Sequence, residues 1–235
     1  MTIHSFSYNG QEYHFEVANP KDEVQRHHAQ GKFYEQRWLE THARFIPAWG
    51  IVVDVGANVG NHTIYYLKHL KIANVIAFEP NPVAKKLFFK NLELNGLLDA
   101  KNEHGFPLIP EHHIKQKLAL GSSPRRAKIH QADPNNLGGA CVSSEGNIDI
   151  EVVRFDDVWS IDDLIDFVKI DVEGMEMDVL EGFHQTITKW RPVIAIELGS
   201  ENKREFQLWL QRNRYMIIDA YIGYRGIYNY IIIPQ

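Results

Sequence analysis

The stretch I-V-V-D-V-G-A-N-V-G, residues 51–60, decides the fold, and N-H-T at 61–63 continues it into an apolar-periodic run. Ile51–Val55 reads as a buried strand, and the glycines at 56 and 60 turn the chain into a helix expected over Thr63–His69. A strand that turns through glycines into a helix lets backbone approach a ligand closely and aims helix N–H groups at it. Asn58 stands where glycine is common, and asparagine tolerates positive φ better than most residues. Asn61 occupies the expected N-cap. A second strand, Asn74–Glu79, ends in an acid 23 residues after Gly56. Pro80 stops it, Asn81 can cap, and Pro82 suits the first position of a helix over Val83–Asn95. The two strands and the helix between them form a βαβ unit.

Working outward, further strands are expected at Lys117–Leu120, Phe167–Asp171 and Val193–Leu198, with helices at Met175–Lys189 and Lys203–Arg212. Two Tyr/Ile-rich runs, Tyr215–Ala220 and Ile227–Ile233, close the chain as a hairpin. The fold class is α/β: a mostly parallel sheet with helices on both faces and an antiparallel C-terminal hairpin. Ahead of it, residues 3–17 alternate polar and aromatic residues around Asn9-Gly10, a strong hairpin-turn signal. Asp22 to Trp49 has helical character, interrupted by Gly31. The expected division is therefore an N-terminal hairpin and helical cap, 1–50, and a ligand-binding domain, 51–235. The segment 99–165 is the least regular, with turn formers at Asp133–Asn136 and Gly138-Gly139. So long an insert in a compact domain is expected to be functional or mobile.

Composition narrows the function. With 44% hydrophobic and 23% charged residues among 235, the chain can bury a core. A net charge of −5 argues against living on nucleic-acid phosphates or an anionic membrane. No apolar run approaches a spanning helix and no leader pattern opens the sequence, while the single Cys141 suits a reducing compartment, so a cytoplasmic protein is expected.

The loop from Asp54 through Gly56, Ala57, Asn58 and Gly60 to Asn61 does not suit a dinucleotide. The pattern G-x-G-x-x-G read from Gly56 needs glycine at 58 and 61, and both are asparagine. Asp54 would repel a diphosphate. S-adenosylmethionine carries a sulfonium, an ammonium and no phosphate, and acids at Asp54, Glu79 and Asp171 suit it. Glu79, next to Pro80, is expected on the ribose hydroxyls. Methyl transfer is an in-line displacement helped by a base, and the candidates lie at strand ends: Asp171 and Glu173 first, Glu197 second. His62, after the glycine loop, is an alternate base. The same acids could meet a divalent cation such as magnesium, but no spacing demands a metal, and the twelve histidines form no ligand set. Tyrosines 215, 221, 224, 228 and 230 either line an acceptor pocket or simply face the hairpin.

Taken together, these pieces resemble the FkbM-type S-adenosylmethionine-dependent methyltransferases. The resemblance rests on residues 51–63, V-I-A-F-E-P-N-P (75–82), N-L-E-L-N (91–95) and L-A-L-G (118–121). It continues through R-F-D-D-V (154–158), V-K-I-D-V-E-G-M-E (168–176), V-L-E-G-F (179–183) and R-P-V-I-A-I-E-L (191–198). It implies a seven-stranded Rossmann-like methyltransferase fold and methyl transfer, usually to a hydroxyl of a sugar, glycan or natural product. It adds weight to Asp171 and Glu173 and implies that Asn136 lies near the site. N-methylation of an amine or amide stays open, as do an NAD(P)-linked oxidoreductase on a similar fold and a non-catalytic cofactor-binding partner protein. The expected partner is a small-molecule or glycan acceptor, with homo-oligomerisation possible.

Overall fold

The computed structural model describes residues 2–102, 107–109, 114–116, 118–131, 133, 135–223 and 226–235. Seven strands form the central sheet: β3 (Ile51–Val55), β4 (Asn74–Glu79), β5 (Ile114–Gln116), β10 (Phe167–Ile170), β11 (Val193–Gly199), β12 (Tyr215–Ile222) and β13 (Ile227–Pro234). Their spatial order is β12-β13-β11-β10-β3-β4-β5. The strands from β11 to β5 run parallel, and β13 is antiparallel to both β11 and β12. The parallel order and the antiparallel C-terminal hairpin are as expected, while the edge strand next to β4 is a different one.

Side chains that alternate along these strands feed two cores. Val52, Val75, Ala77, Phe167 and Ala195 face one side, under α2 (Gln36–Ala43), α3 (Asn61–His69) and α4 (Pro82–Leu94). Val53, Ile76, Val168, Ile170 and Ile196 face the other, under α5 (Phe155–Val158), α6 (Glu176–Gly182), α7 (His184–Trp190) and α8 (Lys203–Asn213). No helix among the described residues is long and apolar enough to cross a membrane.

The N-terminal hairpin, β1 (Thr2–Tyr8) and β2 (Gln11–Val17), packs Phe6, Tyr13 and Phe15 into the first core. Asn91 on α4 and Asn95, the cap just past its end, hold its free edge. Asn91 Oδ1 accepts from Glu16 N at 2.7 Å, and Asn95 Nδ2 donates to His14 O at 2.7 Å. The helical stretch after it is two short helices, α1 (Glu23–Ala29) and α2, separated around Gly31.

Four sequence expectations are corrected. Leu118–Leu120 (β6) does not join the parallel sheet, whose edge is β5; Lys117 lies outside the described residues. β6 belongs instead to a second sheet, β6-β9-β7-β8, with β7 (Arg125–Gln131), β8 (Ala140–Ser143) and β9 (Ile148–Val153). This sheet fills the segment read as irregular. Its strands bury little more than Ala119, Ile129, Ile150 and Val152, so their apolar pattern is weak. The helix expected over Met175–Lys189 is broken at Phe183, whose ring leaves the helix line to stack on Phe155 at 4.0 Å. Finally, the N-cap of α3 is Gly60, not Asn61. Gly60 has φ 91°, and a Cβ there would meet the Phe88 ring at 2.5 Å.

The second half of the broken helix starts because Asp156 caps it. The Asp156 carboxylate is buried and accepts from Gln185 N at 2.8 Å and from Thr186 N and Oγ1 at 3.1 and 2.8 Å. Asp156→Ala is expected to cost ~1–3 kcal/mol of stability with the fold retained. An unmoved urea midpoint would sink this account of the break.

Candidate active site

At the carboxyl ends of β3, β4, β10 and β11 the chain encloses a cavity of about 470 Å³, within the range of small-ligand sites. Gly56 makes it possible. Its φ is 82°, and a Cβ would lie 1.9 Å from the carbonyl oxygen of Asp171, so the loop presses against the end of β10. Asn58 adopts φ 49° as its residue type allows. Its backbone N–H donates to Glu79 Oε2 at 2.8 Å, while Asn81 N–H donates to Glu79 Oε1 at 2.7 Å. Glu79 is thereby aimed along the cavity wall. Burial pushes its carboxyl up to about 7 against the pull of those two N–H groups.

Of the expected site residues, Gly56, Ala57, Asn58, Asn61, His62, Glu79, Pro80, Asn136, Asp171, Glu173 and Glu197 line this cavity. Asp54 and Gly60 do not. Asp54 is fully buried beneath the loop, accepting from Thr63 Oγ1 at 2.6 Å. Asn61 lines the wall, but its side chain is committed to the N-terminal segment. Its Oδ1 takes Tyr34 N–H at 3.0 Å and faces His28 Nε2 at 2.9 Å, and its Nδ2 donates to Tyr34 O at 3.1 Å. The Asn136 loop closes the opposite side: Leu137 N–H donates to Asp22 Oδ2 at 2.7 Å, linking that loop to α1. Three polar atoms on this wall are buried without a partner: Asn58 Oδ1, Asn81 Nδ2 and His62 Nε2. None of tyrosines 215, 221, 228 and 230 lines the cavity, and Tyr224 lies outside the described residues.

Lys169 is the residue that sequence reasoning missed. It sits on β10 directly opposite Asp54 of β3 and is nearly fully buried. Its Nζ lies 3.0 Å from Asp171 Oδ2 and 3.4 Å from Asp54 Oδ1, and donates to Gly56 O at 3.1 Å. Burial works against the ammonium, but Asp171 and Asp54 outweigh it and hold its pKa above the ordinary lysine value. The signal was present: a lysine inside the apolar run F-V-K-I must find buried acids.

Around this ammonium stand carboxyls of unequal proton affinity. Glu173 is exposed to solvent where it lines the cavity, and partial loss of water there, then Asp171 and Glu176, push its pKa up to about 7. Burial, then Asp171 and Glu35, push Glu197 up to about 9, although Asn229 Nδ2 donates to it at 3.2 Å. Glu197 therefore carries a proton at neutral pH. Burial, with Lys169 and then His42, holds His62 well below the ordinary imidazole value, so it is neutral. Glu176 turns back to accept Gly174 N–H at 2.8 Å and serves the helix start. Among the described residues no group of three or more His, Cys, Asp or Glu side chains is placed to hold a metal ion.

Glu197 binds its proton more tightly folded than in the ordinary 4.5 range. Its contribution to stability is complete below about 4.5 and is lost as pH rises through about 9. A glutamine there cannot ionise. Between pH 5 and pH 9 the parent is thus expected to lose up to ~5 kcal/mol relative to Glu197→Gln, read by urea unfolding at each pH. A constant difference would show that Glu197 is not perturbed.

Comparisons with known proteins agree with this architecture. Residues 54–225 match the family described as the methyltransferase FkbM domain. Methyltransferase sdnD of Sordaria araneosa is 30% identical over 164 residues, covering 58% of this chain and 61% of that protein. The 2-O-methyltransferase NoeI of Sinorhizobium fredii is 28% identical, covering 68% of each. The hexuronic acid methyltransferase AglP of Haloferax volcanii is 28% identical, covering 65% of this chain and 58% of that protein. The chain thus spans about six-tenths of sdnD. Among solved structures, a methyltransferase FkbM from Methylobacillus flagellatus KT superimposes with a TM-score of 0.53 at 16% identity, covering 88% of this chain and 52% of that one. M. jannaschii TYW2 in complex with AdoMet gives 0.51 at 15% identity, covering 99% and 84%.

Proposed function

This chain belongs to the FkbM methyltransferase family, and from that premise we propose that it transfers the methyl group of S-adenosylmethionine to a hydroxyl of a sugar, glycan or natural product. The observation that carries the reading is one cavity with a ribose-type carboxylate, Glu79, on one wall and Glu173, poised near neutrality, on another. The 2-O-methyltransferase among its relatives supports oxygen as the acceptor atom, and the hexuronic acid methyltransferase supports a sugar as its carrier. The net charge of −5 supports a small acceptor over a nucleic acid.

The residues present fit the cofactor. Glu79 has lone pairs left for two ribose hydroxyls after accepting from Asn58 and Asn81. Asn58 Oδ1, Asn81 Nδ2 and His62 Nε2 are buried polar atoms that a polar ligand would satisfy. No arginine lines the cavity among the described residues, and the Lys169 ammonium is already taken by Asp171, Asp54 and Gly56, so a diphosphate finds little to hold it. Bound S-adenosylmethionine supplies an electrophilic methyl, passed to the acceptor oxygen in one displacement that leaves a neutral thioether. Glu173 takes the proton of the acceptor hydroxyl, its pKa of about 7 matching general-base work at neutral pH. Asp171, ion-paired with the Lys169 ammonium at 3.0 Å, accepts a hydrogen bond from the acceptor and orients it. Protonated Glu197 donates to a neighbouring acceptor oxygen.

Calorimetric titration with S-adenosylmethionine, and with NADH as control, tests the cofactor. Glu79→Ala is expected to weaken S-adenosylmethionine binding about 10- to 100-fold. Unchanged affinity removes the ribose contact, and binding of NADH alone overturns the whole reading. Glu173→Gln is expected to keep that affinity within about twofold and lose roughly 100-fold or more in turnover. Full turnover in this variant would remove Glu173 as the base.

A further inference from the structure

We infer that the start of α3 is a carboxylate-binding subsite with His62 Nε2–H as its side-chain donor, and that it holds the carboxylate of the cofactor's amino-acid tail. The inference rests on the methyl-transfer reading and gives His62 a binding role in place of that of an alternate base.

Gly60 opens α3 and has no side chain to cap it, and among the described residues no hydrogen bond engages the N–H groups of Asn61, His62 and Thr63. Asn61 and His62 line the cavity, so the unfilled first turn of the helix, with the positive end of its dipole, stands on the cavity wall. A helix start of this kind favours an anion.

His62 adds a second donor of a different kind. It is 5% exposed, and its Nε2 is buried without a partner. The proton position on this ring is set by its neighbour. Asn61 Oδ1 accepts from Tyr34 N at 3.0 Å and Asn61 Nδ2 donates to Tyr34 O at 3.1 Å, so one backbone residue fixes both ends of the amide. The amino end of Asn61 is therefore what faces His62 Nδ1, at 3.5 Å. A proton on Nδ1 would point at that amino group, so the neutral ring carries its proton on Nε2. His42 packs against the face of the His62 ring at 5.6 Å, not against its edge, and its own Nε2 is on the Tyr66 hydroxyl at 2.7 Å.

A subsite made only of N–H groups selects a group that accepts hydrogen bonds and brings negative charge. An ammonium cannot serve there, and a carboxylate can. S-adenosylmethionine carries one of each on the same carbon. Asp171 and Glu173 on the cavity wall suit the ammonium. Of the wall's lysines, Lys169 is engaged by Asp171, Asp54 and Gly56 O, and Lys21 is exposed, so the start of α3 is left for the carboxylate. The path along the wall fits as well. Asn58 N–H holds Glu79, the ribose carboxylate, and two residues on Gly60 opens α3, so a ligand seated on Glu79 and following the glycine loop reaches His62.

S-adenosylhomocysteine and its decarboxylated analogue share adenosine, thioether and ammonium and differ only in the carboxylate, so their affinity ratio reads this subsite alone. His62→Phe keeps a ring against His42 and removes the N–H. By calorimetric titration it is expected to weaken S-adenosylhomocysteine about 10-fold or more, with the decarboxylated analogue within about twofold of its parent affinity. His62→Gln, which returns an N–H at similar reach, is expected to recover most of that loss. Equal losses of the two ligands in both variants overturn the assignment. No loss of S-adenosylhomocysteine in His62→Phe also overturns it and leaves the subsite to an acid-bearing acceptor. A parent that binds neither ligand is a different result: it defeats the cofactor reading, and this inference with it.

Discussion

The site hangs on one buried ammonium. Lys169 lies within β10, whose other residues are all apolar, and a lone charge there would cost several kcal/mol or more. The parallel register sets it beside Asp54, and two residues on, the strand end turns Asp171 back to it. Ion-paired with Asp54 and Asp171 and donating to Gly56 O, the ammonium ties together the glycine loop, the acid under the loop and the acid at the strand end. The two walls of the cavity are therefore positioned by one atom. Moving β10 by one residue would bury an unpaired lysine, so the register of the central strands is specified by charge as well as by apolar pattern.

A second set of constraints closes the cavity from outside the parallel sheet. Asn61 clamps Tyr34, and Asp22 joins the cap of α1 to the backbone of Leu137. Val24, Val59 and Leu87 pack beneath that junction with Leu137 against them. The N-terminal segment and the inserted sheet thus meet over the glycine loop. Neither carries the sheet's nucleotide-type signature, yet both contribute walls, which is where relatives on one scaffold can differ in acceptor.

What was legible in the sequence was whatever one strand or one turn dictates by itself. The glycine loop, Asn58 at positive φ, the Asn81-Pro82 helix start and Glu79 at its strand end are local choices, and each appears as read. The terminal hairpin was legible because its Tyr/Ile runs alternate on their own. What was not legible depends on partners distant in the chain. Tyr34 has no motif: only the Asn61 clamp, 27 residues on, brings it to the cavity wall. Asn61 looked like a cap because a cap is the local use of asparagine, but Tyr34 and His28 compete for it and Gly60 takes the role. The helix break at Phe183 needed Asp156 and Phe155 from another element.

Burial acts on this site in two directions, and the chemistry depends on the sum. Removing water disfavours any charge, so it raises Glu79, Glu173 and Glu197 and lowers His42 and His62. Left alone, that trend would give a neutral pocket with no base in it. The Lys169 ammonium breaks the symmetry: it offers Asp171 a fixed counter-charge at 3.0 Å and pushes the imidazoles further toward neutrality. Glu173, farther from that compensation and beside Asp171, is left between the two regimes. A carboxyl that neither holds its proton firmly nor gives it up freely is what accepting a proton from an alcohol in the transition state requires. A histidine in this environment could not do the same work, because its protonated form would be a second cation beside Lys169.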